Sequence, residues 1–203
     1  MALEIIGFPR SNFVRTVRMV AQEKGVPYEH IAAMPHSDEV KAINPFGYIP
    51  VMRHDGLDLV ESYAIAHYID TAFDGPALVP TEPRAAAVVN RWIMTVNTTV
   101  DQMIMRKYVV EYAFHKDKDG NVVRDVIDQT VKRLPKMFKF LDAAVADGYL
   151  GGDSFSMADC FLVPMLAGVQ TFPEGKENMA NSPNLQAYFA RVAERDSFKN
   201  TAS

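Results

Sequence analysis

Apolar residues along this chain change rhythm partway through. Residues 3–7 form a short apolar run rich in branched side chains and closed by Pro9, which predicts a buried strand and a turn. From Ser11 onward Phe13, Val14, Val17, Val20 and Ala21 recur at three- and four-residue spacing, and Gly25 with Pro27 supplies a stop, so a helix starts at about Ser11. Residues 28–33 suit a second strand, and 37–43 a short helix that Asn44-Pro45 ends. Segments 51–54 and 57–60 flank Asp55-Gly56, the strongest two-residue hairpin signal. A third helix follows Glu61-Ser62, carries Ile65, Tyr68, Ile69 and Phe73 on one face, and finishes near Asp74-Gly75-Pro76.

Beyond a proline-containing connector at 75–83 the strand signals vanish. Residues 84–115 and 125–145 each read as one long helix, and Ser156 opens a third that Pro164 interrupts. The pattern predicts an α/β domain over 1–75 and an all-α domain over 84–203. A chain of 203 residues, 48% of them hydrophobic, has enough apolar material for two cores.

Charge and cysteine content narrow the partners. A net charge of −4 offers no basic field for nucleic acid or an anionic membrane surface. No stretch approaches the roughly 18 apolar residues of a membrane span, and the first residues lack a secretory pattern. The lone Cys160 excludes an internal disulfide or a paired-thiol zinc site and fits a reducing cytoplasm. Asp117 and Asp119 begin like a calcium loop, but Gly120 falls at the fourth place and Asp128 at the twelfth, so no metal is expected.

Three places carry candidate chemistry. Ser11 at a helix start is either a cap or a hydroxyl donor to an anion, which the helix dipole and Arg15 one turn later also favour. Ile49-Pro50-Val51 precedes a strand and is either a rigid turn or a cis peptide that aims the Ile49 backbone at an extended ligand. Glu61 and Ser62 open the third helix, where a carboxylate can bind the helix terminus and Ser62 while Glu61 accepts from an ammonium. That is the chemistry an α-amino acid head group requires.

Taken in order, these features resemble the glutathione S-transferases over nearly the whole chain. Ser11-Asn12-Phe13-Val14-Arg15-Thr16-Val17 looks like their serine-type pattern, Asn44-Pro45-Phe46-Gly47-Tyr48-Ile49-Pro50 like their segment before the third strand, and Glu61-Ser62 like their acidic-serine pair. The resemblance implies a thioredoxin-like N-terminal domain followed by an all-helical C-terminal domain. It implies that Ser11 stabilises a glutathione thiolate, that Pro50 is cis with Ile49 pairing to the cysteinyl part, and that Glu61 and Ser62 hold the γ-glutamyl end. Tyr48 stands where many relatives have Gln or Lys, which leaves His36 and Lys41 as candidates for the glycyl carboxylate. Phe155-Ser156-Met157-Ala158-Asp159 resembles the family's capping motif, with Ser156 and Asp159 serving folding.

An electrophile pocket is implied between the domains, with Phe8 and Phe13 from the first loop region and Met105, Tyr108 and Tyr112 from one face of the long helix; ordinary core packing is the competing reading for each. The expected function is conjugation of the glutathione thiolate to small apolar electrophiles in detoxification, by a cytoplasmic homodimer with glutathione as co-substrate. Isomerisation, dehalogenation and peroxide reduction use the same thiolate. The alternative is a catalytically weak carrier or scaffold.

Overall fold

The computed structural model describes residues 2–202. Its chain forms two compact units: Met1–Ala86 together with Glu194–Ser203, and Ala87–Ala193.

In the first unit, β1 (Leu3–Ile6) runs parallel to β2 (Tyr28–Ile31), and α1 (Asn12–Glu23) makes the crossover. β3 (Val51–His54) lies antiparallel to β1 and pairs with β4 (Leu57–Val60), giving the strand order β2-β1-β3-β4. Asp55 and Gly56 both take positive φ between β3 and β4, the conformation their dipeptide favours in a tight hairpin. Alternation sorts the sheet's two faces. Ile6 and Val51, partners in register, pack with Val40 of α2 (Asp38–Lys41). Ile5 and Met52, the next pair, point the other way and are fully buried. α1 packs against α3 (Ser62–Ala72), and the Lys24 ammonium meets Asp70 of α3 in a buried ion pair. The arrangement is thioredoxin-like.

The last segment departs from the domain limits expected from the sequence. α11 (Asp196–Lys199) packs against α1 within the first unit: Arg195 forks onto Glu23 at 2.5 and 2.7 Å, Ser197 donates to the same carboxylate, and Arg18 donates to the Asn200 carbonyl. Matched charges far apart in sequence, rather than a continuing hydrophobic rhythm, bring it there.

The second unit is helical. The expected helix over 84–115 is continuous but not uniform: α4 (Pro83–Thr95) leads into a π-helix over Val96–Val109 and then α5 (Val110–Phe114). The expected helix over 125–145 is two, α6 (Asp125–Val131) and α7 (Leu134–Ala144), because Pro135 has no N–H to continue the ladder and instead sits in the first turn of α7. α8 (Met157–Val169) is buried on almost every side and runs through Pro164 without breaking. Ser156 caps it by accepting the Ala158 N–H, while Asp159 takes the Ser156 and Leu150 N–H groups and the Tyr188 hydroxyl. Burial pushes the Asp159 carboxyl up to about 6 despite those bonds. Among the described residues no helix is long and apolar enough to cross a membrane.

Candidate functional site

Three segments named from the sequence meet at one end of the sheet. Ile6 pairs with Val51, and Val51 with Val60. One step further along this register sets Gly7, Pro50 and Glu61 side by side, spanning two strand spacings, about 10 Å. Gly7 makes the approach possible: its φ is 155°, and a Cβ there would lie 2.6 Å from the Val14 side chain and 3.1 Å from Cβ of Ile49. The end of β1, the first turn of α1 and the segment before β3 therefore converge on a residue without a side chain.

Ser11 follows that glycine at the start of α1. Its N–H donates to the Phe8 carbonyl and its own carbonyl accepts from Arg15 N–H, both at 2.9 Å. The backbone is extended, as a cap residue requires, yet its hydroxyl makes no capping bond. Phe8 and Phe13, on either side, are half-buried.

The Ile49–Pro50 peptide is cis. Neither the N–H nor the C=O of Ile49 takes part in a backbone hydrogen bond among the described residues. Asn44 builds this segment: buried at 4% exposure, it donates to the Tyr48 carbonyl at 3.0 Å and accepts the Phe46 N–H at 3.1 Å. His36 is clasped to the same loop, its N–H donating to the Gly47 carbonyl at 2.9 Å and its ring set edge-on to Tyr48. Both His36 and Gly47 have positive φ, and a Cβ on Gly47 would strike the imidazole. Lys41 is exposed at the end of α2.

Glu61 is strained. Its φ of 70° and ψ of 116° are unusual for a residue with a side chain, and outliers of this kind cluster at binding sites. Glu61 is the N-cap of α3 but makes no side-chain capping bond, and Ser62 is the first helical residue. The exposed carboxylate of Glu61 and the half-buried Ser62 thus stand at the first turn of the helix, whose N–H groups have no acceptor within the helix itself.

Met105, Tyr108 and Tyr112, expected to line an apolar pocket, are held in the core of the second unit with exposures of 8%, 0% and 8%. Met105 lies against Gly168. Tyr108 donates to Glu174 at 2.9 Å and accepts the Gly175 N–H, while Tyr112 donates to Glu174 at 2.8 Å and stacks on Phe172. Burial, reinforced by the Glu174 charge, raises both phenols above their ordinary range. Helical spacing puts the three on one face, where Tyr108 and Tyr112 meet Glu174 and Met105 meets Gly168.

Two contributors escaped the sequence reading: Gly7 admits the close approach just described, and Asn44 folds the loop. The Asn in NPFGYIP was a visible signal for the second; no local pattern marked the first. Asn12, the alternative donor next to Ser11 in sequence, buries its side chain in the first turn of α1, and its Nδ2 has no partner among the described residues.

The mixed four-stranded sheet with its helices is a thioredoxin-like unit, followed in the chain by a helical one. Residues 5–77 match the family model for the glutathione S-transferase N-terminal domain and 124–191 that for its C-terminal domain. The chain belongs to the glutathione S-transferase family. It is 28% identical to a stringent starvation protein A homolog of Pasteurella multocida (strain Pm70), over 92% of this chain and 83% of the relative. It is equally 28% identical to glutathione S-transferase GstB of Escherichia coli (strain K12), over 93% and 92%. The crystal structure of glutathione transferase F7 from Populus trichocarpa superimposes with a TM-score of 0.89 at 26% identity, covering 99% of this chain and 98% of the other.

Proposed function

We propose that this protein binds glutathione extended across the end of its four-stranded sheet and stabilises the thiolate with Ser11 for transfer to small apolar electrophiles. The observation that carries this reading is a row of uncommitted groups about as long as a short extended peptide: the Ser11 hydroxyl, the Ile49 backbone and the Glu61 carboxylate. Glu61 accepts from the ligand's ammonium, and Ser62 with the α3 terminus holds its α-carboxylate. Ile49, set by Pro50, pairs with the cysteinyl backbone. His36 and Lys41 are the basic groups offered to the glycyl carboxylate, and Phe8 and Phe13 give the sulfur an apolar neighbourhood.

Ser11 donates its hydrogen to the sulfur and keeps it; the thiol proton leaves to water. Lowering a thiol pKa from roughly 8.5 towards neutrality converts much of the bound ligand to nucleophile, each unit being worth about 1.4 kcal/mol. Titration calorimetry with glutathione, paired with conjugation rates over a panel of electrophiles, tests the proposal. Binding with turnover is expected, and absence of glutathione affinity would sink it.

A second reading has its own support. A relative no more distant than the transferase bears a different name, and the aromatic face of the long helix is committed to core packing. Glutathione binding without turnover on any electrophile identifies a carrier; neither binding nor turnover identifies a scaffold. In either case we take the working form to be a cytoplasmic homodimer, as the family relationship leads us to expect.

A further inference from the structure

The first turn of α1 buries two side chains whose donors have nothing to donate to. Asn12 is 9% exposed and Arg15 8%, and the Asn12 Nδ2 and the Arg15 Nε and Nη2 have no hydrogen-bond partner among the described residues. The guanidinium carbon lies 4.7 Å from the ring centre of Phe198. The acidic groups of β1, α1 and α3 that are not exposed are already engaged, while Asp196 of α11 is exposed. Glu23 holds Arg195 and Ser197; Asp70 holds Lys24 and the Leu78 and Val79 N–H groups; Glu4 holds Arg53. Lys199 of α11 is paired with Glu194. Arg18, one turn on, has the same sign and is bonded to Tyr28 and Asn200.

A buried cation without a counter-ion is destabilising, and native structures keep few such groups without a reason. Burial, then repulsion from Arg18, lowers the Arg15 pKa only to about 10, so the charge persists at neutral pH. Side chains on an α-helix lean towards its N-terminus, which lays Arg15 over the turn that begins at Ser11. That terminus already favours an anion, and spacings of i, i+3 and i, i+4 put the two nine-tenths-buried side chains with unpaired donors on the same face of α1 as Ser11.

We infer that Asn12 and Arg15 form a buried anion-holding pair, completed by the thiolate that Ser11 receives, with Phe198 positioning the guanidinium. This rests on the glutathione reading. No bond to the protein forms or breaks: the thiol proton passes to solvent, and the sulfur anion gains a permanent positive charge nearby.

The test is the ultraviolet titration of bound thiolate in wild type, Arg15→Met and Asn12→Ala, with affinity for S-methylglutathione, which has no ionisable thiol, measured alongside. Arg15→Met is expected to raise the bound-thiol pKa by about one unit, roughly tenfold less thiolate below the pKa, with S-methylglutathione affinity changed by less than about twofold. Asn12→Ala is expected to shift it less. Phe198→Ala is expected to reproduce part of the Arg15 effect and Phe198→Trp to restore it, which a purely structural role does not predict. Superimposable titrations for wild type and Arg15→Met would overturn the inference and leave a trapped water as the occupant. Should wild type bind no glutathione at all, the glutathione reading fails, and the pair is then judged by its melting temperature in bromide against fluoride at equal ionic strength. Bromide stabilisation present in wild type and lost in Arg15→Met supports the pair; equal responses overturn it.

Discussion

Two arginines, one in each unit, have opposite surroundings. Arg124 donates to Glu174 at 2.6 Å, to the Tyr112 hydroxyl and to Asp128, and its pKa is raised by those bonds. Arg15 is more deeply buried, and its Nε and Nη2 have no hydrogen-bond partner among the described residues. A network in which donors and acceptors are satisfied holds helices together and offers nothing further to a ligand. An unsatisfied buried cation costs stability until something arrives, so chemistry is to be sought where the accounting fails to close.

Breaking the satisfied network has the largest expected effect. Glu174→Ala leaves two phenols without their acceptor and takes one of three acceptors from the Arg124 guanidinium, and is expected to cost about 3 kcal/mol in urea unfolding, with glutathione affinity unchanged. Arg15→Met, by contrast, is expected to leave the unliganded melting temperature level or higher. A drop comparable to that of Glu174→Ala would erase the distinction between the two arginines.

Glu61 sharpens the comparison from the ligand side. Glu61→Gly relieves a strained φ and is expected to stabilise the fold by about 1 kcal/mol while weakening glutathione binding by about 2 kcal/mol. Calorimetry showing unchanged affinity removes Glu61 from the site. Ser11→Ala comes next. Since the hydroxyl makes no capping bond, its loss is expected to cost under about 0.5 kcal/mol of stability yet raise the bound-thiol pKa by about one unit, with conjugation recovering at higher pH. A large stability loss with an unmoved titration would make Ser11 a cap after all.

The smallest effect is a pH slope. Burial raises the Glu174 carboxyl, but bonds from Arg124, Tyr112 and Tyr108 outweigh it and hold the group near 2 against an ordinary 4.5. Its folded pKa is depressed, so its contribution is complete above about 4.5 and is lost as pH falls from there towards 2. Glu23, opposed by burial but lowered by Arg195 and Ser197, acts in the same direction. Melting temperature is expected to fall through that window, and less steeply in Glu174→Gln. Equal slopes would assign the acid sensitivity elsewhere.

What could be read beforehand was whatever local chemistry determines. The Asp55-Gly56 hairpin, the helix start at Ser11 and the Ser156–Asp159 cap depend on a few adjacent residues, and the structure has them where the pattern put them. Periodicity showed that Met105, Tyr108 and Tyr112 share a face but not what that face meets, because Glu174 lies far along the chain. The orphaned donors of Asn12 and Arg15 were invisible for the same reason: an absent partner is a property of the whole fold. So was the return of α11, which depends on Glu23 finding Arg195. Within the site, segment order identified Ser11, Pro50 and Glu61, while their alignment across the sheet needed the strand register.

That return has a consequence for synthesis. The first unit is interrupted in the chain: its sheet and α1 are translated early, but the residues that cover Arg15 and neutralise Glu23 follow the whole helical unit. On the ribosome the helical unit can therefore finish while its predecessor is still open along α1. The nascent α/β half must wait, with that helix face exposed to water and chaperones, until residues 194–202 emerge and close it.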